Sequence, residues 1–79
     1  ADERMTLNLY PNPVADRLTL VFNDTRLLNS VARIRTVAGA TLQTVKLTSF
    51  RQQIDMSTLP AGIYFVNFAN GSVERIIKK

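Results

Sequence analysis

Polar and apolar side chains alternate with a period of two along most of this chain. Leu18, Leu20 and Phe22, for example, are each separated by one residue. Successive side chains of a β-strand point to opposite faces, so alternation over four to eight residues predicts a strand with one buried face. The segment 25–33 is the one helical alternative, but its apolar residues lack the spacing of an amphipathic helix. We therefore expect an all-β protein.

Turn-forming residues separate the alternating runs. Tyr10-Pro11-Asn12-Pro13 cannot lie inside a strand, because two prolines remove two donors from the hydrogen-bond ladder. Ala38-Gly39-Ala40 and Asn70-Gly71 are typical of hairpin turns, in which glycine takes the left-handed position. With these breaks, the sequence predicts seven strands at residues 7–10, 17–22, 31–37, 41–47, 51–55, 63–69 and 72–78.

Seven short strands in 79 residues are typical of a single antiparallel sandwich. We predict an immunoglobulin-like β-sandwich of Greek-key type at residues 7–79, preceded by an upstream linker at 1–6. The connection 24–30 is long enough to cross between the two sheets. Because the chain has no cysteine or histidine, close packing of its apolar residues must provide the stability that disulfides or a metal give many small domains.

The absence of cysteine and histidine also limits the chemistry. It excludes Cys–His and Ser–His catalytic pairs and nearly all zinc sites. The six acidic residues show no spacing expected of an acid/base pair. Asp24 and Asp55 fit turn capping better, since an aspartate accepts hydrogen bonds from the backbone N–H groups that follow it. We expect no catalytic residue, no metal and no cofactor.

A formal net charge of +4 raises the question of nucleic-acid binding. Proteins that bind single-stranded nucleic acid combine positive charge with exposed aromatic side chains. Only Phe50 and Phe65 are candidates for exposure, because the other aromatic residues fall on the predicted core phase: Tyr10, Phe22, Tyr64 and Phe68. We therefore predict solvated basic faces and no nucleic-acid partner. No apolar run approaches the ~20 residues of a transmembrane helix, so we expect no transmembrane segment.

The sixth predicted strand is apolar on both faces. Tyr64, Val66 and Phe68 lie on one face, and Ile63 and Phe65 lie on the other. We expect this strand to be central, with loops covering its outer face; the alternative is an exposed apolar patch that marks a docking surface. We expect Tyr64 to form a tyrosine corner, with its hydroxyl bonded to nearby backbone, rather than to stack on a ligand.

Five segments of the chain together resemble one protein family. LYPNP at 9–13 and DRLTL at 16–20 resemble its opening motif, and IRTVAG at 34–39 resembles its middle motif. IDMSTLPAGIY at 54–64 is similar to its signature, and RIIKK at 75–79 resembles its basic end. The family is the C-terminal sorting domain of the type IX (Por) secretion system of Gram-negative bacteria. The motifs occur in order and cover nearly the whole chain.

The resemblance implies a signal rather than a catalyst. Such domains direct a passenger protein from the periplasm through the outer membrane to the cell surface or the medium. The implied partners are the outer-membrane type IX translocon, its shuttle components and a sortase-like C-terminal signal peptidase. A cleavage site would lie at or before residues 1–5, although some members of the machinery retain a similar domain. The chain departs from the middle motif at Arg35 and Thr36 and again at Ala40 and Thr41, so the resemblance implies no specific contact for that hairpin.

The sequence ends on its final predicted strand, so we expect a C-terminal cap or an isolated domain. We expect that strand to offer a free edge for main-chain pairing with a receptor. The predicted recognition residues lie on this strand and in the turn that precedes the sixth strand: Pro60, Gly62, Tyr64, Arg75, Ile76, Ile77, Lys78 and Lys79. A structural role is the alternative for the first three. The competing hypothesis for the whole chain is an adhesive or carbohydrate-binding module, which needs exposed aromatic residues or clustered loop carboxylates.

Overall fold

The computed structural model describes residues 6–79, which form seven strands and one short 3₁₀ helix. The strands begin and end within two residues of the predicted bounds, and the all-β class is confirmed. They are β1 Leu7–Tyr10, β2 Arg17–Phe22, β3 Val31–Thr36, β4 Thr41–Lys46, β5 Arg51–Asp55, β6 Gly62–Asn67 and β7 Val73–Lys78, and the helix is Thr25–Leu27. No helix formed by these described residues is long and apolar enough to cross a membrane.

The strands form two antiparallel sheets that pack face to face. One sheet has the order β1-β2-β5, and the other has the order β4-β3-β6-β7. As expected, β6 is a central strand, with β3 on one side and β7 on the other. The terminal strand β7 lies at the edge of the four-stranded sheet.

One hydrophobic core joins the two sheets within residues 6–79. Leu18, Leu20 and Phe22 from β2 belong to the same buried cluster as Ile34 from β3 and Val66 from β6. These residues occupy the inward phase that the sequence predicts, because every second side chain of each strand faces the opposing sheet. Close packing of this kind stabilises the domain, which has no cysteine to form a disulfide.

The prediction that Tyr10 lies in the core is wrong. Its side chain is 42% exposed, whereas Leu7 and Leu9 are half-buried and pack against the core. Alternation along β1 leaves Tyr10 on the solvent side, out of phase with these two leucines. Phe50 is exposed as predicted, and its ring makes an edge contact with Phe22 at 5.3 Å between ring centroids.

The connection between β2 and β3 carries the chain from one sheet to the other, as expected. Its 3₁₀ helix buries Leu27. Asp24 caps the helix by accepting a hydrogen bond from the Arg26 N–H at 3.0 Å, and the Arg26 Nε donates to the same carboxylate oxygen at 3.0 Å. The side-chain hydrogen bond from Arg26 is the largest cause of a lowered pKa for Asp24. The turn-capping role predicted for Asp24 is confirmed.

Glutamine side chains form hydrogen bonds between the two sheets, one from β4 to β5 and one from β5 to β4. The Gln43 amide donates to the Asp55 carbonyl at 3.2 Å. The Gln52 amide donates to the Lys46 carbonyl at 2.8 Å and accepts from the Thr48 N–H at 2.9 Å. Side-chain amides therefore satisfy backbone groups at these two sheet edges, which reduces the unpaired edge available for aggregation.

Candidate recognition surface at the terminal strand

The structure brings the two parts of the predicted recognition surface together. In the register of β6 and β7, Gly62 lies opposite Lys78, and Ile63 lies opposite Ile77. The turn that precedes β6 therefore lies beside the terminal residues, although more than ten positions separate them in the sequence. This adjacency follows from the hairpin at Asn70-Gly71, where Phe68 and Ser72 pair through the backbone and Gly71 has a φ of 93°.

Pro60 and Tyr64 form the predicted tyrosine corner. The Tyr64 hydroxyl donates a hydrogen bond to the Pro60 carbonyl at 2.5 Å, and the Tyr64 side chain is only 5% exposed. The bond ties the loop to the start of β6 and satisfies a polar group that would otherwise be buried without a partner. Tyr64 thus packs in the core and positions the loop, and little of its side chain is available to a partner.

The backbone conformation at position 62 favours glycine. The φ of Gly62 is 154°, a positive value that residues with a Cβ rarely adopt. A steric clash does not explain the glycine, because a Cβ at this position would have no other atom within 4 Å. Gly62 therefore allows the chain to turn into β6, and Pro60 and Gly62 both remain exposed at the surface.

The terminal residues differ in accessibility. Arg75 and Lys79 are exposed, Lys78 is half-buried, and Ile77 is 38% exposed. Ile76 is only 1% exposed and belongs to the core cluster. The Ile76 side chain therefore serves packing and is not available for direct contact with a partner.

Asn12 forms hydrogen bonds with the outer edge of β7. The sequence does not predict this role. The Asn12 Oδ1 accepts a hydrogen bond from the Ile77 N–H at 3.0 Å, and its Nδ2 donates to the Arg75 carbonyl at 3.1 Å. One side chain amide thus presents an acceptor and a donor to the edge, as a backbone peptide group of an adjacent strand would. Both Tyr10-Pro11 and Asn12-Pro13 peptide bonds are cis.

Val14 continues this contact along β7 through its backbone. Its N–H donates to the Ile77 carbonyl at 2.8 Å, and its carbonyl accepts from the Lys79 N–H at 2.8 Å, which makes a parallel bridge. The expectation of a free edge along residues 75–79 is therefore wrong. The physical reason is that unpaired N–H and C=O groups of an edge strand are readily satisfied by a neighbouring segment of the same chain.

Asp55 organises the turn in the first half of the signature motif. Its Oδ1 accepts hydrogen bonds from the Ser57 N–H at 2.9 Å and from the Ser57 hydroxyl at 2.6 Å. The hydroxyl bond is the largest cause of a lowered pKa for Asp55, with further contributions from the Ser57 backbone and the charge of Arg17. The predicted turn-capping role of Asp55 is confirmed. Among residues 6–79, no group of three acidic side chains is placed to bind a metal ion.

The outer face of β6 is open. Ile63 is 45% exposed, and Phe65 is half-buried. The expectation that loops cover this face is wrong for Ile63, and the alternative of an exposed apolar patch applies there. The turns that adjoin β6 are closed by their own hydrogen bonds, from the Tyr64 hydroxyl to the Pro60 carbonyl and from the Phe68 N–H to the Ser72 carbonyl.

Comparison with known proteins agrees with the motifs. No curated protein and no solved structure is significantly similar to this chain. A family model described as "Secretion system C-terminal sorting domain" matches residues 8–79. The match includes the segment of Asn12, the signature at 54–64 and the terminal strand, and confirms the resemblance. The chain belongs to the family of type IX secretion C-terminal sorting domains and is a sorting signal for that system.

Proposed function

We propose that the machinery of type IX secretion reads this domain at one surface, which we call the terminal surface. It consists of the exposed side chains of Arg75, Ile77 and Lys79, the half-buried side chain of Lys78 and the adjacent Pro60–Gly62 turn. The observation that carries the proposal is the register of β6 and β7, in which this turn lies beside the terminal residues of the domain. A receptor contacts both in a single docking event.

Recognition at this surface uses side chains. In an antiparallel ladder the backbone groups of alternate residues point away from the partner strand. On β7 these outward groups include Ile77 and Lys79, and they are already bonded to Asn12 and Val14. A receptor that adds a strand at this position must first displace the segment 12–14. Docking through the three cations and Ile77 needs no such rearrangement, and the charges steer an acidic receptor to the surface.

The topology of the sandwich supports the same role. We infer an immunoglobulin-like Greek-key sandwich from the sheet order and from the path of the first segment. That segment pairs with β2 in one sheet and then, at Val14, with β7 of the other sheet. The tyrosine corner at Tyr64 is a further property of such sandwiches. A rigid sandwich keeps the terminal surface in one conformation, so a receptor pays little entropy to order it.

We propose the following export route for the domain and its passenger. The domain occupies residues 7–79 behind an upstream linker at 1–6, and it is itself non-catalytic. Its passenger crosses the periplasm of a Gram-negative bacterium, meets the shuttle components and the outer-membrane translocon, and reaches the cell surface or the medium. A sortase-like peptidase then cuts upstream of the domain, at or before residues 1–5, which lie outside the residues that the structure describes.

A reporter fusion tests the proposal. The chain is fused behind a periplasmic fluorescent protein in a bacterium with a functional type IX system and in a strain lacking the translocon. We expect surface delivery only in the first strain. The variant Lys78→Gln/Lys79→Gln should leave the reporter in the periplasm, while the matched control Arg17→Gln/Arg51→Gln, on β2 and β5 of the other sheet, should be delivered normally.

The substitutions at Lys78 and Lys79 are preferable to deletion of residues 75–79. Deletion removes Ile76 from the core and should destabilise the domain, so it would not separate recognition from folding. Normal delivery of the lysine variant would refute the terminal surface as the recognition site. Delivery of the unchanged fusion without the translocon would refute the type IX route itself.

A further inference from the structure

The outer face of the four-stranded sheet is basic. The outward positions of β3, β4, β6 and β7 carry four cations, Arg33, Arg35, Lys46 and Arg75, and these fully described strands place no carboxylate on that face. The six other basic residues of the chain equal its six acidic residues in number. The face therefore carries a charge of +4, the same as the formal net charge of the whole chain.

The cations surround an apolar centre. Arg35 lies opposite Phe65, and Phe65 lies opposite Arg75, so one row across three strands reads arginine, phenylalanine, arginine. In the next row Ile63 lies opposite Ile77. Ile63, Ile77 and Val73 are all exposed. We call this face, with Arg33, Arg35 and Arg75 around Phe65 and Ile63, the arginine face.

Arg35 is already partly removed from water. Among the described residues, its Nε is the buried side-chain nitrogen that has no hydrogen-bond partner. A carboxylate that approaches a partly desolvated guanidinium gains more Coulomb energy than it gains from a fully hydrated one, since the effective dielectric constant is lower there. A guanidinium is also the cation best suited to bidentate carboxylate recognition.

We propose that the arginine face binds an acidic, partly apolar surface of a partner protein of the export machinery. The proposal rests on the sorting function and deepens it, because Arg75 and Ile77 belong to both surfaces. The partner presents carboxylates on either side of an apolar contact. Strands are about 4.8 Å apart, so carboxylates that reach both Arg35 and Arg75 lie roughly 10 Å apart.

The composition of the face favours a protein over other anions. Protein interfaces have apolar centres enriched in aromatic residues and arginine. A nucleic acid needs several aromatic side chains to stack successive bases, and this face has Phe65 alone. An anionic membrane needs an apolar element that penetrates the headgroups, whereas side chains of a sheet stand at similar heights. An anionic polysaccharide gains nothing from Ile63 or Ile77.

The test measures binding of the intact 79-residue chain to a synthetic peptide of mixed Glu and Leu residues. Backbone amide shifts in NMR spectra locate the peptide, with a Gln-for-Glu peptide as the probe control. The variant Arg33→Gln/Arg35→Gln keeps Arg75 and the terminal surface intact. The matched control Arg17→Gln/Arg51→Gln removes the same charge from β2 and β5, and the unchanged amide spectrum verifies that each variant is folded.

We expect shifts centred on Phe65 and an affinity loss on the order of tenfold for the variant at Arg33 and Arg35, with less than a threefold loss for the control. Equal losses in both variants, shifts centred on another surface, or no binding would overturn the proposal. Tighter binding of dextran sulfate or of phosphatidylglycerol vesicles to this face would also overturn it, in favour of a polysaccharide or a lipid. Reporter delivery, measured separately, tests the sorting function whatever the peptide result.

Discussion

The side chain of Asn12 is bonded to the backbone N–H of Ile77 across 65 positions of sequence. With the second bond from its Nδ2 to the Arg75 carbonyl, Asn12 joins the YPNP motif to the terminal strand. Two motifs at opposite ends of the sequence are therefore parts of one structural unit. This contact gives both motifs a structural role that does not depend on a receptor.

Replacing Asn12 should weaken this unit. Asn12→Ala leaves the Ile77 N–H and the Arg75 carbonyl to water and should lower the free energy of unfolding by about 1–2 kcal/mol, since a hydrogen bond contributes roughly 1 kcal/mol net. Urea unfolding measures the loss, and hydrogen exchange should accelerate at the Ile77 amide. Asn8→Ala, on the exposed side of β1, is the matched control. Equal unfolding midpoints for the two variants would contradict the role of Asn12.

The tyrosine corner gives a second prediction. Tyr64→Phe keeps the ring in the core and removes only the hydroxyl that bonds to the Pro60 carbonyl. We expect a loss of about 1 kcal/mol in unfolding free energy, with the fold retained in the amide NMR spectrum. Tyr10→Phe removes a hydroxyl from an exposed ring and should change the stability very little. A Tyr64→Phe protein as stable as the parent would show that the bond contributes nothing.

Gly62 gives a test of backbone conformation. Gly62→Ala should lower the unfolding free energy by about 1–2 kcal/mol, because an L residue is strained at positive φ. The chain is short enough for chemical synthesis, so D-alanine at the same position provides a control with the same added methyl group. The D residue favours positive φ, so its thermal unfolding should match the parent or exceed it. Equal loss for both residues would point to packing as the cause.

Acid should destabilise the domain through Asp24 and Asp55. Both have a pKa lowered in the folded protein, Asp24 chiefly by the side chain of Arg26 and Asp55 chiefly by the Ser57 hydroxyl. A lowered folded-state pKa stabilises the fold above the unfolded value of about 3.9, and this stability is lost as the pH falls through the folded pKa.

Unfolding curves between pH 2 and pH 6 measure this effect. Ser57→Ala should reduce the stability lost on acidification, because it removes the donor that holds down the Asp55 pKa. Asp24→Asn should reduce it independently, because Asp24 and Asp55 have separate partners. A pH dependence unchanged in both variants would assign the acid sensitivity to other carboxylates.

The strands and the core phase were predictable because both are local. Alternation identified Leu18, Leu20 and Ile34 as buried, and Gly39 and Gly71 marked turns that the structure contains. The same local pattern predicted the pairing of Tyr64 with backbone a few residues before it. In each case the interacting groups are close in sequence or follow the period of a single strand.

The remaining features depend on contacts that are distant in sequence. Nothing local indicates that Asn12 bonds to Ile77, and so the occupied edge of β7 was not predicted. The burial of Ile76 and the exposure of Ile77 follow from the register with β6, which the terminal motif does not specify. The arginine face appears only when β3, β6 and β7 are placed side by side, because Arg35 and Arg75 are 40 positions apart.

The bridge between Val14 and β7 has a consequence for biosynthesis. Val14 is translated before its backbone partners Ile77 and Lys79, so the sandwich is incomplete until β7 has been made. An incomplete translation product lacks the finished fold. The sorting signal is therefore complete only after β7 has been made, and a product truncated before β7 does not carry it.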